Sequence, residues 1–203
     1  MRIAVALFEE CEELDWAGPW EVLASWRELW PDDRVELFTV AETTDPVCCA
    51  KGLRVLADRT WDTLVDVDVL VYPGGRGTRA QLGDERIRER IRSLASGGAL
   101  MTSVCTGSLV FADAGILDGR AATTHWASLE LLAQLGENID VRSDERFVDV
   151  GAVITAAGVS AGIDMALHLV ARLASPERAE QVRTAIQYEP RLGSWVENSD
   201  SSG

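Results

Sequence analysis

One cysteine stands where its chemistry would matter. The stretch from Ala99 to Gly115 reads ALMTSVCTGSLVFADAG: an apolar run with strand character, then Cys105, then a segment with helical spacing. A residue at such a junction projects from the sheet edge and sits at a helix N-terminus, where unpaired N–H groups favour negative charge. An unperturbed thiol near pKa ~8.5 is only a few per cent thiolate at neutral pH, and each unit of depression is worth ~1.4 kcal/mol. The expectation is a Cys105 that ionises readily, with Thr106, Gly107 and Ser108 small enough to let a substrate approach the backbone. The competing account is a small buried hydrophobe ending a strand. The segment EELDWAGPWEVL adds Asp15, read as lying just before a helix opened by Pro19. It is either a turn or cap carboxylate or a group that reaches the thiol and moves protons. Glu21, within the helix, reads as structural.

These residues need elements to hold them. RIAVALF, RVELFTVAE, VDVLVYPGG and ALMTSV read as strands, and LRVLAD and AATTHW as short ones. GPWEVLASWREL, DERIRERIRSLASGG, TGSLVFADAGIL and ASLELLAQLG read as helices. IDVRSDERFVDVGAVITAAG reads as a hairpin-like strand pair, and SAGIDMALHLVARLAS and PERAEQVRTAIQYE as closing helices. The alternation predicts an α/β fold, a mostly parallel sheet with helices on both faces. DVLVY and ALMTSV are apolar enough for central strands. Ligands bind such sheets beyond the carboxyl ends of the strands, so YPGG and VCTG are expected at one rim.

At 203 residues the chain suits one domain, expected over 1–190, with a polar tail over 191–203. The N-terminus shows no secretory pattern, and no apolar run approaches the ~20 residues of a membrane span. A cytoplasmic protein is expected. The cysteines at 11, 48, 49 and 105 show no C-x-x-C pair and no zinc-type spacing with histidine, so neither a disulfide framework nor a metal is expected. The net charge of −14, from 33 acidic and 19 basic residues, argues against a nucleic acid partner. Lys51 is the single lysine. Adaptation to high salt and an arginine-rich, GC-rich genome both account for this, and stability measured against salt separates them.

Taken together, LDWAGPWEVL, YPGG, SVCTGSLVFADAGILDGRAATTHW and TAAGVSAGIDMALHLVARL resemble the ThiJ/PfpI superfamily, from Arg2 to about Pro190. The resemblance implies a flavodoxin-like, class I glutamine amidotransferase-like fold. Within it the chain is similar to the isonitrile hydratase branch, and also to the ligand domains of some helix-turn-helix regulators. It places the family's elbow cysteine on Cys105 and the acidic residue that contacts it on Asp15. The backbone donors for developing negative charge fall on Gly75 and Thr106. It implies no cofactor, a small-molecule substrate, and a homodimer with the site near the interface.

The resemblance further implies attack by Cys105 on an isonitrile carbon to form a thioimidate, proton handling by Asp15, help from Thr106, and release of an N-substituted formamide. Trp16, Trp20 and Trp126 are candidates for an apolar pocket because they adjoin the motif residues; core packing is their alternative. His125 is a further candidate, and His168 reads as helix packing. Peptidase-like members carry histidine directly after the cysteine. Thr106 stands there, so a Cys-His-Glu triad is not expected. No helix-turn-helix sequence follows the last helix, so a DNA-binding regulator is not expected. Glyoxalase-like chemistry and a ligand- or redox-sensing role remain open alternatives.

Overall fold

The computed structural model describes residues 1–64 and 66–189. The tail expected over 191–203 lies outside them. The strands are β1 (Arg2–Ala6), β2 (Glu36–Ala41), β3 (Val47–Cys48), β4 (Arg54–Val55), β5 (Arg59–Thr60), β6 (Val69–Tyr72), β7 (Leu100–Val104), β8 (Ala121–Ala122), β9 (Asp140–Val141), β10 (Phe147–Asp149) and β11 (Val153–Ala156). The helices are α1 (Glu13–Leu29), α2 (Thr78–Gln81), α3 (Glu85–Ser96), α4 (Gly107–Asp113), α5 (Leu129–Leu135), α6 (Ala161–Leu173) and α7 (Pro176–Ala185).

Among the described residues, seven strands form one sheet in the order β10-β11-β7-β6-β1-β2-β5. All neighbours are parallel except the β10–β11 hairpin. The predicted central strands β6 and β7 do sit in the middle, beside β1. Side chains along a strand point alternately to its two faces, and the core divides accordingly. Ile3, Val5, Val69, Val71 and Val104 pack with Val22, Leu23, Met165 and Val182 from α1, α6 and α7. Ala4, Ala6, Leu70, Tyr72 and Met101 pack on the other face with Ile91, Leu109 and Leu132 from α3, α4 and α5. Apolar side chains on both faces are what a buried parallel sheet requires. Among the described residues no helix is long and apolar enough to cross a membrane.

Three local expectations need correction. Helix α1 begins at Glu13, so Pro19 lies inside it and Asp15 sits in its first turn. Contacts across the rim hold those first residues helical: Glu12 N donates to Gly74 O at 2.9 Å, and the Gly74 N–H binds the Asp15 carboxylate. LRVLAD shrinks to β4, which pairs with β3 in a ribbon off the main sheet, and AATTHW shrinks to β8, paired with β9. The edge strand β5 was not anticipated; two residues carry no periodicity, and pairing with Val40 and Ala41 alone defines them. His168 is a packed helix residue, as expected, and has a polar partner as well. It is partly exposed, with Nε2 2.7 Å from Asp149 Oδ2 and its ring 4.7 Å from Phe147.

Candidate active site

The parallel strands β1, β6, β7 and β11 end at one rim, and the segments that follow them build the site. The two glycine-rich ends meet as expected: Gly75 N donates to Thr106 Oγ1 at 3.0 Å. Cys105 follows β7 directly with φ +56°, a left-handed conformation that a side-chain-bearing residue holds only when its surroundings enforce it. They do so from three sides. Its N–H is shared between Ala156 O and Ala157 O at 3.1 and 3.0 Å. Its carbonyl accepts from Thr124 Oγ1 at 2.9 Å and from Ser108 Oγ at 3.1 Å. The next turn leaves no room for a side chain, since a Cβ on Gly107 would lie 2.4 Å from Tyr72 O.

Asp15 is fully buried. Its Oδ2 accepts from Gly74 N at 2.9 Å, its Oδ1 is buried with no hydrogen-bond partner among the described residues, and the carboxyl and the Cys105 thiol act on each other electrostatically. Gly74 must be glycine for this approach: a Cβ there would lie 2.5 Å from Thr106 N and 2.9 Å from Asp15 Oδ2. Burial raises the Asp15 carboxyl to about 7, against the opposing pull of the Gly74 N–H and the thiol. Burial, followed by the Asp15 charge, pushes the Cys105 thiol up to about 12, while the N–H groups of Thr106 and Val159 pull it down. The expectation of an easily formed thiolate is therefore overturned. Helix α4 has two turns, and its N-terminal field is outweighed by desolvation and by a carboxylate against the sulfur.

Two other roles shift. The Gly75 N–H is already bound by the Thr106 hydroxyl, so it is not a free donor to a substrate. The backbone groups that face the sulfur are those of Thr106 and Val159. Val159, with φ +46°, carries no signal in the sequence. Thr106 Oγ1 also lies 3.2 Å from Thr78 Oγ1, which ties α2 to the elbow.

A cleft of about 440 Å³ opens over Cys105 and Thr106. His125 lines it, as do Glu12, Arg76, Arg79, Ser128 and Val159, none of which the sequence singled out. The Nδ1 of His125 accepts from Ala127 N at 3.3 Å. The tryptophans do not form the expected pocket. Trp16 and Trp20 pack partly buried against the core on the α1 side, and Trp126, beside His125, is 77 % exposed. Glu21 is exposed on α1, as a structural helix residue would be. Among the described residues no group of three or more His, Cys, Asp or Glu side chains is placed to hold a metal.

The model of the DJ-1/PfpI family matches residues 1–172. The isonitrile hydratase of Pseudomonas putida is 40 % identical over 190 residues, which cover 94 % of this chain and 79 % of that protein. The HTH-type transcriptional regulator CdhR of Pseudomonas aeruginosa is 35 % identical over 138 residues, 68 % of this chain but 40 % of the regulator. A ThiJ/PfpI family protein from Pseudomonas syringae superposes with a TM-score of 0.85 at 31 % identity, covering 97 % of this chain and 78 % of that one.

Proposed function

We propose that this chain, which belongs to the DJ-1/PfpI family, is a cysteine-dependent hydratase that converts an isonitrile to an N-substituted formamide. The observation that carries the reading is the buried Asp15 carboxyl set against the Cys105 thiol at a strained elbow. Similarity to the P. putida isonitrile hydratase over nearly the whole chain supports it.

The reacting pair holds one proton. With Cys105 protonated and Asp15 ionised, Asp15 takes the thiol proton as sulfur bonds to the terminal isonitrile carbon. The same proton passes to that carbon and leaves a thioformimidate. Water then adds to the carbon and a proton moves to nitrogen. The C–S bond breaks, the hydroxyl becomes the formyl carbonyl, and its proton returns to sulfur through Asp15. One water is consumed and the pair is restored. The N–H groups of Thr106 and Val159 steady negative charge on the sulfur as it forms and as it leaves. The Thr106 hydroxyl anchors Gly75 and keeps the two strand ends in register.

The test mixes wild type, Cys105→Ala and Asp15→Asn with an alkyl isonitrile and follows formamide, with methylglyoxal as a parallel substrate. Formamide from wild type alone is the expected result. Cysteine-dependent loss of methylglyoxal with no formamide would move the assignment to glyoxalase-like chemistry. A homodimer is part of the same proposal, and sedimentation equilibrium reads it directly.

A further inference from the structure

The charges around the cleft are unevenly compensated. Glu12 is paired with Lys51. Arg76 donates to Ala50 O at 2.7 Å and faces Glu10 at 3.5 Å. Arg79 differs. Its Nη1 donates to Thr78 Oγ1 and its Nη2 to Ser128 Oγ, each at 3.0 Å, and among the described residues no carboxylate pairs with it. Hydroxyls orient a guanidinium without neutralising it, and three of its five N–H donors remain. In a chain of net charge −14, an uncompensated cation facing the cleft marks where an anion is favoured.

The placement is specific. Ser128 is held by its own N–H on His125 O at 2.8 Å. Thr78 Oγ1, which receives Arg79, lies 3.2 Å from Thr106 Oγ1. Two hydrogen bonds therefore separate the guanidinium from the residue that follows the nucleophile. We infer that Arg79, oriented by Thr78 and Ser128, binds a carboxylate on the substrate, so that the site takes small isonitriles carrying a carboxylate near the reacting carbon. The inference rests on the hydratase reading above. Guanidinium and carboxylate match as a planar fork, which gives orientation as well as attraction.

A matched pair of substrates tests it: isocyanoacetate and its neutral methyl ester, with wild type and Arg79→Gln. Wild type should favour the acid in kcat/KM by about tenfold or more, and the variant should lose most of that preference. Equal handling of acid and ester by wild type, or a preference that survives the substitution, would overturn the assignment. If neither compound is hydrated, the hydratase reading fails, and alkylation decides the charge inference by itself. Iodoacetate and iodoacetamide both place a carbon on the sulfur with loss of iodide and of the thiol proton, but only the first is anionic. At Cys105 their rate ratio should fall about tenfold in Arg79→Gln, with the partly exposed Cys48 as an internal reference. An unchanged ratio would refute the anion site whatever the substrate.

Discussion

Replacing Asp15 by asparagine should abolish the proposed hydration and, above neutral pH, make the protein more stable than wild type. The folded chain holds the Asp15 proton more tightly than the unfolded chain, because burial lifts the carboxyl from its ordinary 3.8 to about 7. Its contribution is therefore fully present below about pH 4 and declines as pH rises through 7. The gap corresponds to an upper figure on the order of 4 kcal/mol at alkaline pH. Asparagine keeps the acceptor for Gly74 N, presents an amide to the thiol, and has no charge to desolvate. Equilibrium urea denaturation of both proteins between pH 4.5 and 8.5 measures the effect. The difference, variant minus wild type, should climb with pH and gain roughly 2–4 kcal/mol across the range. Asp33, Asp113 and Asp149 titrate in both proteins with lowered pKa and cancel in the difference. A difference that stays flat would refute the argument, since a carboxyl that titrates alike in both states carries no net shift from its burial.

The remaining predictions use the same geometry. The kcat/KM for an isonitrile should rise with a midpoint near pH 7 as Asp15 ionises and level off above it; a flat profile from 6 to 8.5 would remove Asp15 as the proton carrier. Gly107→Ala forces a Cβ to 2.4 Å from Tyr72 O and should destabilise the fold by about 3 kcal/mol or more in urea. Gly83→Ala, with φ +84° but open space around it, should lose only about 1 kcal/mol, which separates backbone strain from collision. Asp113 accepts from Arg88 Nε at 2.9 Å, Arg88 Nη2 at 2.6 Å and Gly83 N at 2.9 Å. Arg88 beside it holds its carboxyl below the usual range, so this stabilisation is present above about pH 4 and lost as pH falls. Asp113→Asn should lower stability at pH 7 by about 1–2 kcal/mol, a deficit that shrinks in acid, as thermal denaturation at pH 3 and 7 will show.

What the sequence made legible follows from locality. Cys105 stood out because one polar stretch interrupts an apolar strand and a helix, and both neighbours act within a few residues. The doubly covered sheet was visible in VLVY and LMTSV, which have no polar face to give to water. Asp15 is legible although the sequence places the start of its helix too late, because Pro19 usually opens a helix and here does not. The missed groups share a different origin. Arg79 and Ser128 meet across 49 positions of sequence, and Val159 reaches the sulfur from the segment that follows the neighbouring strand β11. Such contacts belong to the assembled rim and to no segment of it. The direction of the Cys105 shift failed for the same reason: a helix start can be read from residues, but burial and an opposed carboxylate cannot.

That failed expectation bears on the chemistry. A thiolate formed in advance suits attack on a carbonyl, where the proton is wanted later and elsewhere. An isonitrile carbon carries a lone pair, and hydration must put both a nucleophile and a hydrogen on that one atom. A resting pair with the proton on sulfur and a carboxyl near neutrality keeps that hydrogen beside the carbon that needs it. Dry surroundings help, because Asp15 is fully buried and the Cys105 thiol nearly so, and the proton has few other places to go. Thr106 occupies the position where a histidine would offer a second base, and the Nδ1 of His125 is held by Ala127. Asp15 is the carboxyl set against the sulfur, and in the proposed reaction it performs both transfers. On this argument the reaction needs the one proton that the pair holds, and placing a cation beside Cys105, which favours its loss, should slow hydration while speeding alkylation of the same sulfur.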